Sequence, residues 1–185
     1  MSCGTHQPAV LRDMEPADID FITALDQQLF GIDSWPRTMF VDELAQPETR
    51  RYIIAELPSA VEHQAKRCQD TANQGSEGLE MTMAGYAGLM CVPPIGDIQT
   101  IGVLPEFEGR GIARAMMDEL IAEARRRGAE NIMLEVSSTN PRAQRLYQRY
   151  GFEHIHTRRR YYRDGSDGLI MRLQLPVSTT SKDPS

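Results

Sequence analysis

The stretch IGVLPEFEGRGIAR, residues 101–114, joins an apolar strand to an amphipathic helix through a glycine-rich turn. Gly109 and Gly111 carry no side chains, and the first turn of the following helix presents backbone N–H groups without partners inside the helix. The positive end of the helix dipole lies at the same place, and Arg110 and Arg114 add charge beside it. The turn therefore favours a bulky anion such as a diphosphate.

A glycine-containing turn is weak evidence by itself, because many chains use glycine merely to reverse direction between a strand and a helix. This turn also lacks the Gly-Lys-Ser/Thr ending of an ATP-binding loop and the three glycines of the dinucleotide-binding fingerprint. ATP and NAD are therefore disfavoured as its ligands.

Hydrophobic periodicity and helix-capping residues predict the elements around this turn. Strands are expected at residues 9–13, 51–57, 81–92, 97–104, 131–136, 152–161 and 168–175. Helices are expected from residue 15 to residue 30, from an N-cap at Ser34 to the residue before Pro47, over 111–127, and from an N-cap at Asn140 to Gly151. This order predicts an α/β fold with one mixed central sheet flanked by helices.

Composition restricts the class of protein. The chain has 185 residues, 41% of them hydrophobic and 25% charged, which fits a single globular domain over residues 1–185. A polar loop insertion is expected at 58–80 and a flexible tail at 176–185. No apolar stretch approaches the roughly 20 residues of a membrane span, and neither a secretion signal nor a membrane partner is expected. The sequence makes no prediction of the oligomeric state.

Charge and cysteine content add further expectations. The net charge of −6 argues against direct nucleic-acid binding, whereas it suits a groove that receives a cationic amine or a basic peptide. Cys3, Cys68 and Cys91 are odd in number and far apart, so neither a disulfide framework nor a zinc knuckle is expected. A reducing cytoplasm is the expected location.

One carboxylate interrupts the apolar strand at 132–136. Strand alternation places Glu135 on the same face as Met133, where a solvent-facing side chain and a functional one are both possible. Farther along, Tyr147 suits a helix residue that packs on the sheet while its hydroxyl group reaches solvent.

Several motifs resemble those of the GNAT acetyltransferases, in particular the RimI-type enzymes that acetylate ribosomal proteins. The family's turn, Gln/Arg-x-x-Gly-x-Gly/Ala, aligns with residues 108–113, although Glu108 departs from the usual Gln or Arg. The family's Asn-x-x-Ala-x-x-Leu-Tyr-x-x-x-Gly-Phe segment aligns with 140–152 and follows a Leu-Glu-Val strand at 134–136. The Arg-Arg-x-Tyr-Tyr segment at 158–162 and Asp-Ser-Trp-Pro at 33–36 extend the resemblance over most of the chain.

The resemblance implies a GNAT fold, with the central sheet splayed between the strands at 97–104 and 131–136. Acetyl-CoA would enter this gap from one side and the acceptor from the other. The implied reaction transfers the acetyl group of acetyl-CoA, without a metal, to the N-terminal α-amine of a protein, with a small-subunit ribosomal protein as the acceptor. Glu135 would be the general base and Tyr147 the general acid for the departing CoA thiolate.

The resemblance also implies a set of cofactor-binding residues. The pantetheine arm would contact the backbone of Ile101, Gly102 and Val103, although the first and last also suit an ordinary core strand. The diphosphate would lie against Gly109, Arg110, Gly111, Ile112, Ala113 and Arg114. Asn140 would cap its helix and also hydrogen bond to the cofactor. Glu108 is expected to face solvent or Arg110.

The sequence also offers alternative sites and alternative functions. His154 and His156 alternate along a strand, but no nearby ligands complete a metal site. Arg158, Arg159 and Arg160 suit either RNA or a peptide groove, and the acidic chain favours the groove. A GNAT enzyme that acts on lysine side chains or small-molecule amines, and a non-catalytic acyl-CoA-binding regulator, are the alternative functions.

Overall fold

The structure, a computed structural model, describes residues 8–58 and 81–176, in which helices and strands follow the predicted order. The strands are β1 (Val10–Asp13), β2 (Arg50–Pro58), β3 (Met81–Val92), β4 (Ile95–Val103), β5 (Asn131–Ser137), β6 (Glu153–Arg158) and β7 (Gly168–Gln174). The α-helices are α1 (Ile19–Phe30), α2 (Arg37–Leu44), α3 (Ile112–Arg126) and α4 (Pro141–Arg149). Of the predicted insertion (58–80) and the predicted tail (176–185), only residues 58 and 176 belong to the described part of the chain.

The described strands form one mixed sheet in the order β1-β2-β3-β4-β5-β7-β6. The central strands β4 and β5 are parallel, whereas the other neighbouring pairs are antiparallel. Pairing between β4 and β5 begins at Ile95 with Asn131 and stops at Ile98 with Leu134. Beyond that pair the two strands separate, which confirms the predicted opening in the centre of the sheet.

Each face of the sheet carries a hydrophobic core. On one face α3 and α4 pack against a set of buried residues that includes Ile132, Leu134 and Val136 of β5. On the other face α1 and α2 pack against a set that includes Tyr52, Ile54 and Tyr86. Since successive side chains of a strand point to opposite faces, Glu135 points to the face that carries α1 and α2.

Glycine and asparagine mark the helix ends that position the site. Gly128 ends α3 with a φ of 87°, and Gly151 follows α4 with a φ of 89°, both in the left-handed region that glycine favours. The Asn140 side chain accepts a hydrogen bond from the Ala143 amide at 3.0 Å, which confirms Asn140 as the N-cap of α4.

The predicted start of α2 at Ser34 is wrong. Helix α2 begins at Arg37, and Pro36 occupies the N-cap position without a side-chain cap. The Ser34 hydroxyl group instead donates to Gln27 Oε1 at 2.6 Å, because the short connection folds back onto the end of α1. The sequence therefore identified the helix but placed its first residues too early.

Candidate active site

The glycine turn ends directly at the start of α3. Gly109 and Gly111 adopt φ values of 77° and 80°, and a Cβ atom at either position would contact nothing within 4 Å. Gly111 is the N-cap of α3 and has no side chain to accept hydrogen bonds from the first-turn amides. Those amides face an open surface and are available to an external anion.

A cleft of about 710 Å³ lies beside this turn, between α3, α4 and the end of β4 that has separated from β5. Many of the residues predicted to bind the cofactor line it: Ile101, Val103, Gly109, Gly111, Ile112, Ala113, Arg114 and Asn140. The helix α4 completes the opposite wall, chiefly with Arg142, Tyr147 and Tyr150. The structure thus gathers residues far apart in sequence around one cavity.

Two of the predicted cofactor residues do not line the cleft. Gly102 faces α1, where a Cβ atom would lie 2.6 Å from Leu29 Cδ1 and 3.0 Å from Tyr86 Cε1. A larger residue at position 102 would therefore require Leu29 to move, and Gly102 can contact a ligand only through its backbone. The Arg110 guanidinium stacks on the Phe107 ring, 5.2 Å from its centroid, and does not line the cavity.

Tyr147 lies between the cleft and the core. Its side chain is buried, and its ring packs on Phe152 with centroids 6.0 Å apart. Burial, and secondarily the neighbouring Tyr162, raises the pKa of Tyr147 above the usual phenol value. Tyr147 is therefore protonated at neutral pH, as a proton donor must be.

Glu135 lies just beyond the last residue of β5 that pairs with β4, at the opening in the sheet. Arg158 Nη1 donates to Glu135 Oε2 at 2.9 Å, and Tyr161 also lowers the pKa of this carboxylate. On β7, Gly168 leaves room for it, since a Cβ atom there would lie 3.1 Å from Glu135 Cδ. Burial raises the pKa of Glu135, and the positive charge of Arg158 partly opposes this rise.

Two further polar residues, Asp97 and Tyr162, lie close to Glu135, and neither was predicted from the sequence to belong to the site. Asp97 is paired in register with Met133, and its pKa is raised by burial and then by the charge of Glu135. The pKa of Tyr162 rises to about 12, first through burial and then through Glu135. Because Tyr162 also raises the pKa of Tyr147, it lies close enough to interact with both predicted catalytic residues. The Tyr-Tyr end of the 158–162 motif was the available signal.

Two loops meet on the Glu135 side of the sheet. One loop joins β6 to β7 and contains Arg163, and the other joins α1 to α2 and contains Asp33. The Arg163 amide donates to Asp33 Oδ1 at 3.3 Å. The Trp35 amide donates to the buried Asp26 at 2.5 Å, and Tyr86 also donates to Asp26. These contacts hold the 33–36 segment against the core and beside the opening, on the face opposite the cleft.

The GNAT acetyltransferase family model matches residues 32–152, which include the turn, the cleft and both predicted catalytic residues. The chain belongs to the GNAT acetyltransferase family. The family resemblance predicted from the motifs is therefore confirmed, and this GNAT protein is also similar to enzymes of the RimI type.

One relative covers nearly the whole chain, and another covers more than half of it. The GNAT protein is 35% identical to the N-alpha-acetyltransferase RimI of Mycobacterium tuberculosis, with 97% of each chain covered. It is 33% identical over 115 residues to the ribosomal protein bS18-alanine N-acetyltransferase of Escherichia coli K12, covering 58% of this chain and 77% of the relative. The crystal structure of the ribosomal-protein-S18-alanine N-acetyltransferase from E. coli superposes with a TM-score of 0.71 at 23% identity, covering 95% and 99% of the two chains.

Among residues 8–58 and 81–176, no three His, Cys, Asp or Glu side chains cluster so as to hold a metal ion. His154 lies in an exposed strand and hydrogen bonds to Thr157 at 2.9 Å. None of the described helices of the GNAT protein is long and apolar enough to cross a membrane.

Proposed function

We propose that the protein transfers the acetyl group of acetyl-CoA to the N-terminal α-amine of a protein, with a small-subunit ribosomal protein as the acceptor. The observation that carries this proposal is the opening between β4 and β5. The cleft of the glycine turn reaches it from one face of the sheet, and Glu135 and the 33–36 loop lie on the other. The RimI-type relatives support the choice of acceptor.

The chemistry of the cleft suits acetyl-CoA. The exposed amides and glycines of the turn would hold the diphosphate, with Arg114 nearby. After Ile98 the backbone of β4 no longer pairs with β5, so its N–H and C=O groups on that edge are available to an extended pantetheine arm. Acetyl-CoA would supply an activated acetyl carbonyl at the opening, within reach of an amine from the other face.

Glu135 would remove a proton from the amine, directly or through a water molecule. An N-terminal amine has a reference pKa of about 7.7–8.0, whereas lysine has about 10.4, so deprotonating lysine costs roughly 3.5 kcal/mol more. A carboxylate whose pKa is raised by burial is a better base than an exposed one, yet it remains weak. The site is therefore better matched to an α-amine than to lysine.

Tyr147 would deliver a proton to the sulfur as the C–S bond breaks. Its raised pKa makes it a poor acid toward a solvated thiolate. However, the burial that raises the pKa of the phenol would also destabilise a thiolate beside it, so proton transfer between them remains feasible. On the acceptor side the charge of Glu135 is paired with Arg158, and the Asp97 carboxylate adds a further negative charge, which favours entry of a cationic N-terminus.

Mass spectrometry of acetylated products tests the proposal. Purified protein is incubated with acetyl-CoA and small-subunit ribosomal proteins, and with paired peptides that carry either a free N-terminus or a blocked N-terminus plus an internal lysine. We expect acetyl groups on the free α-amine only. Acetylation of the blocked peptide would indicate a lysine acetyltransferase, and tight CoA binding without any turnover would indicate a regulator. Action on ribosomal proteins also predicts a cytoplasmic location.

A further inference from the structure

An ion pair crosses the mouth of the cleft. Glu108, in the glycine turn, accepts a hydrogen bond from Arg142 in the first turn of α4, and both residues line the cavity. The expected contact between Glu108 and Arg110 is therefore wrong. Arg110 stacks on Phe107, and Glu108 pairs with Arg142, which lies 34 positions later in the chain. Of the two expectations for Glu108, partial exposure to solvent is the one that holds.

The other end of α4 is held to α3 by a different contact. The Tyr150 hydroxyl group donates to the Asp118 carboxylate at 2.7 Å and also lies 3.0 Å from the Arg114 carbonyl oxygen. Helix α4 is thus fixed to α3 near its last turn without the ion pair. The Glu108–Arg142 pair can separate while the two walls of the cleft stay in place.

The ion pair is easily broken. The side chains of Glu108 and Arg142 are 42% and 59% exposed, and an ion pair in that environment contributes little to stability because water screens it. A phosphate group offers the same planar guanidinium more negative charge and more acceptor oxygens than a carboxylate does. A phosphate that reaches the turn therefore competes well with Glu108 for Arg142.

We propose that Arg142 is a phosphate ligand for the cofactor, and that Glu108 holds it across the cleft until a phosphate group of the cofactor replaces the carboxylate. The inference rests on the proposed binding of acetyl-CoA in this cleft. It gives a role to Glu108, which stands where GNAT sequences usually have Gln or Arg. Glu108 would compete with the cofactor phosphate for Arg142. The stronger the Glu108–Arg142 ion pair, the lower the affinity for the cofactor would be.

A double-mutant cycle measured by calorimetry tests the exchange, with CoA as the ligand. Glu108→Gln should tighten CoA binding about two- to fivefold, because Arg142 is released. Arg142→Gln should weaken binding about three- to tenfold through loss of a charge-assisted hydrogen bond. In the Arg142→Gln background, Glu108→Gln should lose about half or more of its effect, because no arginine remains to be released.

Two matched variants control for net charge. The variants are Glu106→Gln and Arg145→Gln. Glu106 precedes Glu108 by two residues, and Arg145 lies about one helical turn after Arg142 in α4. Both side chains are exposed, and neither lines the cleft. Each should change CoA affinity by less than about 1.5-fold if only local contacts matter. Repeating the cycle with dephospho-CoA identifies the phosphate: a retained Arg142 effect assigns it to the diphosphate, and a lost effect to the 3′-phosphate.

Two outcomes would overturn the exchange. An unchanged CoA affinity in Arg142→Gln would show that Arg142 is no ligand, and an equal gain from Glu108→Gln in both backgrounds would reduce Glu108 to a simple repulsive charge. In both cases the wild-type protein still binds CoA, so the proposed function survives. Absence of CoA binding by the wild-type protein would instead contradict the proposed function and the exchange together.

Discussion

At the scale of single residues, the site depends on polar groups whose pKa values are shifted by burial. Tyr147 is buried beside the cleft, Glu135 is half-buried on the opposite face, and Tyr162 interacts electrostatically with both. Glu135 and Tyr147 are predicted as catalytic residues from motifs within their own strand and helix, and the structure places them at the opening and beside the cleft. The contribution of Asp97 was not predictable, because it depends on which strand lies beside β5 and on the register of that pair.

Removing the Tyr147 hydroxyl group tests its predicted role as the acid. Tyr147→Phe keeps the ring that packs on Phe152 and deletes the proton, so kcat should fall about 10²–10⁴-fold if proton donation is essential. CoA affinity and the melting temperature should change little. Steady-state kinetics with a peptide acceptor, together with CoA calorimetry, measure the two effects separately. A near-normal kcat would return Tyr147 to a packing residue and leave positioning of the amine as the main source of catalysis.

The pH dependence of kcat/KM tests Glu135. A base acts in its deprotonated form, so activity falls as the pH decreases through the pKa of Glu135, which lies above the usual range for glutamate. The acceptor amine must also be neutral, and it adds a second ionisation on the acidic side. Glu135→Gln should lower kcat/KM and reduce the limiting slope of log kcat/KM on that side from about two to about one. An unchanged slope would exclude Glu135 as the base.

The neighbouring arginine provides an independent check of the same assignment. Arg158 lowers the pKa of Glu135, so Arg158→Gln should raise that pKa and move the corresponding limb of the profile to higher pH. Arg159→Gln is the matched control, because it removes an adjacent charge without removing this hydrogen bond. A shift toward lower pH in Arg158→Gln, or equal shifts in the two variants, would contradict the electrostatic explanation.

At the scale of secondary-structure elements, local sequence predicted the helix ends that are determined locally. Asn140 is an N-cap because its side chain reaches an amide three residues ahead, and the glycines after α3 and α4 adopt the positive φ that ends a helix. Ser34 failed as an N-cap because its hydroxyl group has a competing partner, Gln27, on the preceding helix. Competition between a local partner and one brought close by folding depends on the tertiary arrangement and not on local spacing.

The start of α3 provides the prediction at this scale. Gly111→Asp places a side chain at a φ of 80° and a negative charge where the diphosphate is proposed to bind, so CoA affinity should fall at least about tenfold. Gly128→Asp, at the other end of the same helix, imposes a similar backbone strain at a φ of 87° but does not line the cleft. It should lower the melting temperature without changing CoA affinity. Equal CoA affinities in the two variants and the wild type would exclude the turn from the binding site.

At the scale of the whole molecule, the sheet separates two surfaces and its central opening connects them. The family motifs predicted that opening, and its position follows from β4–β5 pairing that ends after Ile98 and Leu134. The ion pair between Glu108 and Arg142 could not be predicted, because it requires α4 to lie beside the turn. The fold and most of the cleft could thus be predicted from local patterns, whereas contacts between distant elements required the structure.

Deleting the predicted polar insertion tests whether it is needed for acetyl transfer. Pro58 and Met81 are partners in the β2–β3 register, so the two residues that flank the segment 59–80 lie as close together as neighbouring strands require. An Asn-Gly turn can therefore join β2 to β3 directly, and shortening the loop should stabilise the fold by up to about 2 kcal/mol through a smaller closure entropy. Because the sequence of the insertion predicts no catalytic constellation, we expect peptide turnover and CoA affinity to be preserved. Loss of peptide turnover with unchanged CoA binding would show instead that the insertion forms part of the acceptor groove. A parallel assay with a folded ribosomal protein would show whether the insertion is needed for larger acceptors only.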